Sequence, residues 1–184
     1  MRRIPASGMF VAAVAIMALA ATAVGCGGGS STTKTDSPDS YANAVCGALT
    51  KHLDELSGVP AGAGNLDMGN LASSNTDATR QALSAVSSID LSIAADLKNV
   101  QPPSDMAEMH AQIIDAYQKA GDAAATIQGA LGEPQDEAVA TVQASENDMS
   151  SIQDIWQQLP DNYSQAFKDS QACKSLEPTA TPAP

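Results

Sequence analysis

Residues 104–132 read SDMAEMHAQIIDAYQKAGDAAATIQGALG, and their apolar spacing decides the fold. Met106, His110, Ile113, Tyr117, Ala120, Ala124, Ile127 and Leu131 recur at alternating steps of four and three. That is the seam spacing of helices packed in a left-handed bundle. Pro102-Pro103 stops the chain before this helix, Ser104 or Asp105 is placed to cap it, and Gly132 closes it.

The same periodicity extends in both directions. Upstream, Leu83, Val86, Ile89, Ile93, Leu97 and Val100 line one side of a helix that begins near 75–77. Before that, Ser37-Pro38-Asp39 offers a polar cap and a proline suited to a first turn. From it Tyr41, Val45, Leu49, His52 and Leu56 run to Gly58. Downstream, Pro134 opens a helix carrying Val142, Ser145, Met149, Ile152, Trp156 and Leu159, and Pro160 separates it from a short segment with Tyr163, Phe167 and Cys173. No segment alternates with the period of two that marks a strand. The spacing predicts an all-α domain over residues 38–176, an up-down four-helix bundle with a short fifth C-terminal helix. Its core is light: the chain holds one Trp, three Tyr and two Phe, and Ala fills much of the helix faces.

The N-terminal end sets where such a domain works. Arg2 and Arg3 precede an uncharged run from Met9 to Val24, which leads through Ala23-Val24-Gly25 to Cys26 and then Gly27-Gly28-Gly29-Ser30-Ser31. Sixteen helical residues span only about 24 Å, short of a hydrocarbon core of about 30 Å, which disfavours a permanent transmembrane helix. Ala21-Thr22-Ala23 also fits ordinary secretory cleavage, which would release a soluble protein. The cysteine count favours a third reading. Of Cys26, Cys46 and Cys173 in an exported, oxidising setting, the last two can pair if Cys26 carries lipid, and no thiol is left over. A Cys46–Cys173 bridge closes a loop of more than 100 residues and stabilises by about 5 kcal/mol in the chain-entropy model.

These residues resemble a bacterial lipoprotein: the lipobox Ala23 to Cys26, the Gly/Ser/Thr tether, and Cys46 with Cys173 bracketing an Ala-rich helical body. The likeness is to small surface lipoproteins of high-GC Gram-positive bacteria, although Ala23 stands where that class most often has Leu. It implies a signal peptide over 1–25, a diacylglyceryl group on Cys26, and a place on the outer face of the cell membrane. Residues 26–37 then form a flexible tether and 177–184 a disordered tail. After removal of 1–25, the 159 remaining residues carry 7 Lys+Arg against 21 Asp+Glu, a formal charge of −14. Such a surface is repelled by nucleic acid and by anionic lipid, so no nucleic-acid partner is expected and the body stands off the membrane.

Chemistry is sparse. The sequence has no G-x-S-x-G, H-E-x-x-H, C-x-x-C or phosphate-loop motif. His52 and His110 both fall on the apolar stripes, and His110 with Met106 and Met109 is a soft-ligand set that could suit copper or haem. The up-down topology separates the two histidines by about 10 Å along the bundle axis, which makes seam histidines the expected reading. Glu108 stands two residues before His110, so the Glu-x-x-His pair of carboxylate di-metal bundles is missing. Acidic runs such as Glu133-Asp136-Glu137 read as solvated faces, and Asn162-Tyr163-Ser164 is a common glycosylation triplet. Residues 57–74 form a connection longer than helix–helix turns usually are, with Leu66, Met68 and Leu71 apolar within it, and are expected to fold back as a short helix or lid. The expected function is that of a non-enzymatic, membrane-anchored lipoprotein, without cofactor, that binds a protein or cell-wall partner. The alternative is a small-ligand, metal or haem protein using the bundle near His110.

Overall fold

The structure is a computed structural model and describes residues 33–53, 55, 58, 59, 66, 70–74 and 76–176. Residues 1–25, Cys26 and the tail 177–184 lie outside the described residues, as does most of 57–74.

The described chain is all-α apart from one short pairing. Its helices are α1 (Pro38–Thr50), α2 (Leu71–Ser74), α3 (Asp77–Leu97), α4 (Ala107–Ala130), α5 (Gln135–Gln157), α6 (Asp161–Asp169) and α7 (Gln171–Lys174). α3, α4 and α5 form the long antiparallel body, α3 against α4 and α4 against α5. α1 completes one end, where it packs on α6 and α7 as well as on α3.

Local chemistry explains most boundaries. Ser37 begins α1 in a capping box, its hydroxyl accepting from Ser40 N–H at 3.2 Å while Ser40 Oγ accepts from Ser37 N–H at 3.1 Å. Thr76 caps α3 by accepting from Thr79 N–H at 3.1 Å. Three boundaries differ from the sequence-based expectation. α1 stops at Thr50, where the chain tightens into a His52 N–H to Leu49 carbonyl turn, and Leu53 and Glu55 beyond that turn are helical again. Neither Ser104 nor Asp105 caps α4: residues 104–106 form a 3-10 turn, and Asp105 instead accepts from the Tyr163 hydroxyl at 2.8 Å. The C-terminal segment is two helices, since Ser170 ends α6 and caps α7 through Cys173 N–H at 3.3 Å.

A fourth difference lies in the tether. β1 (Thr33–Lys34) pairs in parallel with β2 (Val100–Gln101), Thr33 opposite Val100 and Lys34 opposite Gln101. Pro102-Pro103 accounts for β2, because proline both ends helix and pushes the residue before it into extended backbone, leaving the Gln101 carbonyl without a helical donor. Thr35 takes that carbonyl twice, from its N–H at 3.2 Å and from its hydroxyl at 2.6 Å. Residues 33–37, assigned to the tether by composition, are therefore built into the body.

The core divides along the bundle. At the α1 end, Tyr41, Val45, Ile89, Ile93, Leu97, Met106, Ile113 and Tyr163 are buried together, with Tyr117, Trp156 and Phe167 packed against them. At the far end, Leu83, Ile127, Leu131, Ala138 and Val142 form a smaller cluster onto which Leu66 folds. The described parts of the 57–74 connection thus return along the body, and α2 rests on α5. Cys46 and Cys173 are joined, with Cα atoms 5.0 Å apart and 127 residues between them in sequence, which fixes α7 to α1. No helix of the described residues is long and apolar enough to cross a membrane.

Candidate functional site

His110 leaves the first turn of α4 toward the core and is almost fully buried. Its Nε2 lies 3.1 Å from the Leu97 carbonyl oxygen at the end of α3, and its Nδ1 lies 2.9 Å from the Tyr41 hydroxyl on α1. A carbonyl only accepts, so Nε2 carries the proton, Nδ1 is the bare lone pair, and Tyr41 donates to it. The ring is a neutral imidazole joining three helices. Burial lowers its pKa, outweighing the Leu97 and Val100 carbonyls that favour the charged form. Burial likewise raises the Tyr41 phenol well above its ordinary value. With both nitrogens engaged, His110 offers no lone pair to a metal unless Tyr41 turns away. Met106 is buried in the same core cluster and Met109 packs against it, so these two side chains contribute packing beside an imidazole that is already satisfied.

His52 is placed elsewhere. Its Nδ1 faces Glu55 Oε2 at 3.3 Å and its Nε2 faces Asp96 Oδ2 at 3.3 Å, and Lys51 Nζ reaches the same Asp96 oxygen at 3.2 Å. The two carboxylates sit on opposite edges of the ring and do not converge on one point. This cluster ties the end of α1 to the last turn of α3, and shares no partner with His110. Among the described residues no group of three or more His, Cys, Asp and Glu could hold a metal ion, and no buried side-chain nitrogen or oxygen lacks a hydrogen-bond partner.

Among the described residues, the most perturbed acid is one that the apolar spacing does not single out. Asp90, half-buried on α3, has its carboxyl pushed up to about 7 by desolvation. It faces Tyr117 of α4, whose phenol is raised by burial first and by the Asp90 charge second, while a hydrogen bond from Trp156 of α5 acts the other way. One signal for it was present in the sequence. Leu83, Val86, Asp90, Ile93 and Leu97 follow the 3-4 seam at least as well as the series through Ile89, so a carboxylate sits in a heptad core position. Tyr163 is also raised, to about 12, by burial and by its bond to Asp105.

A groove of about 520 Å³ lies beside the β1–β2 pairing, between Thr35 and Asp36 on one side and residues 101–105 on the other. It brings together two carboxylates, Asp36 and Asp105, of which the second is held by Tyr163. The arrangement provides hydrogen-bond acceptors at a surface cleft. Comparison with protein-family models, with curated proteins and with solved structures finds no match for this chain.

Proposed function

We propose that this chain is an extracytoplasmic lipoprotein, held on the outer face of the cell membrane by a diacylglyceryl group on Cys26, whose helical body acts by binding a protein or cell-envelope partner rather than by catalysis. The observation that carries the reading is the Cys46–Cys173 disulfide. It consumes both other cysteines, so the thiol that follows the uncharged run and the small residues Ala23 to Gly25 is the one left for lipid. A disulfide of this kind also suits an oxidising compartment. The internal polar groups support a binding role over a catalytic one, because His110, Tyr41, Tyr163 and Asp105 are spent on one another or on backbone carbonyls.

The test is substitution of the anchor residue. Cys26→Ser is expected to move the protein from the membrane fraction to the medium, or to leave the precursor untrimmed, and to abolish incorporation of labelled fatty acid. Membrane retention of a correctly trimmed Cys26→Ser chain refutes the proposal.

A further inference from the structure

We infer that the β1–β2 pairing is an orientation clip: it holds the α3–α4 corner toward the bilayer and presents the opposite end of the bundle outward. The inference rests on the lipid anchor proposed above. Its argument is a comparison of lengths. α4 has 24 residues and, at 1.5 Å per residue, separates the two ends of the body by about 36 Å. Seven chain steps lead from Cys26 to Thr33, the first paired residue. Fully extended, they span at most about 25 Å. With the clip closed, the end carrying β1 therefore cannot rise far enough for the body to stand on its opposite end.

Opening the clip lifts that restriction. The free chain would then run from Cys26 to Pro38, twelve steps reaching about 42 Å, more than the length of the body. Two hydrogen bonds from Thr35 to the Gln101 carbonyl, together with the two-residue ladder, thus decide between one permitted pole and two. The acidic charge of the mature chain adds repulsion from anionic lipid, which opposes lying flat. The pole so presented holds the α4–α5 turn at 131–134, the start of α3 and α2.

The test uses the mature chain with its disulfide intact, coupled through the Cys26 thiol to a maleimide lipid in vesicles of phosphatidylcholine and phosphatidylglycerol. A fluorescent amino acid is placed at Ser104 or at Glu133, both exposed and at opposite ends of α4. Energy transfer to an acceptor lipid is expected to be about twofold or more higher from position 104. Two variants remove the constraint by different routes: Thr35→Pro deletes both Thr35 donors, and six Gly/Ser residues inserted after Ser30 lengthen the leash while leaving the clip intact. Both are expected to narrow the difference between the two positions, and the insertion answers for any loss of fold in Thr35→Pro. Equal transfer in the unaltered protein, or an asymmetry undiminished in either variant, overturns the inference. Chemical coupling makes this outcome independent of cellular lipidation, whose failure shows instead as loss from the membrane fraction.

Discussion

Replacing Asp90 with Asn should stabilise the domain at pH 8 by roughly two to three times as much as at pH 5. The carboxyl titrates near 7 in the folded protein against 3.8 when freely solvated. Between those values the folded state holds a proton that the unfolded chain has released, so stability falls as pH rises across the window. Above about 7 the whole penalty is present; below about 4 none of it is. A shift of some three units corresponds to about 4 kcal/mol as a ceiling. Asp90 retains access to solvent, which screens the charge and reduces the expected gain to about 1–3 kcal/mol. Asn keeps the shape and removes the charge beside Tyr117. For a domain of this size the gain at pH 8 amounts to roughly 3–10 °C in Tm. Thermal melts of both proteins at pH 5 and pH 8 give the answer as a difference of differences, in which the other carboxylates cancel. A Tm increment equal at the two pH values, or a less stable variant at pH 8, would show that Asp90 is not held in a desolvated site.

Two further predictions concern packing. A Cβ at Gly121 would stand 2.8 Å from Leu91 Cγ and 3.0 Å from the Ser87 carbonyl oxygen, so Gly121→Ala should cost about 1–3 kcal/mol despite the better helix propensity of Ala, measured as a lower denaturation midpoint. Tyr41→Phe removes the donor to His110 Nδ1 and should cost about 1–3 kcal/mol through the stranded acceptor. Titration of the unaltered protein with copper, zinc or haemin should give no stoichiometric binding that His110→Gln abolishes, and tight binding lost in that variant would overturn the structural role assigned to the ring.

The fold was legible where a pattern repeats. Eight seam positions in 104–132 sufficed for α4, and Pro134 and Pro160 located the start of α5 and the break after it. The Cys46–Cys173 pairing followed from counting. What escaped depends on tertiary partners. Asp105 looks like a cap until Tyr163 is seen to claim it. The tether looks like a uniform polar stretch until the Gln101 carbonyl, freed by Pro102, draws Thr35 to it. Asp90 was overlooked because Ile89 beside it gave an equally regular apolar series, and a carboxylate is not expected in a core position. The site around His110 was legible in its residues but not in its partner: nothing in the local spacing points from the fourth residue of one helix to Tyr41, 69 positions away.

The aromatic rings are distributed along the bundle in a way that limits how the protein can be watched. Tyr41, Tyr117, Trp156, Tyr163 and Phe167 all belong to the α1 end, with Tyr41 edge-on to Tyr163 and Phe167 at 5.9 Å and Trp156 edge-on to Phe167 at 5.1 Å. The far cluster is built from Leu, Ile, Val and Ala alone. Indole emission, tyrosine absorbance and near-ultraviolet dichroism are therefore blind to half of the molecule. If the end with no aromatic ring frays first, those signals will report an intact protein while the turn at 131–134 has already opened, and only amide exchange or methyl resonances of that half will record it.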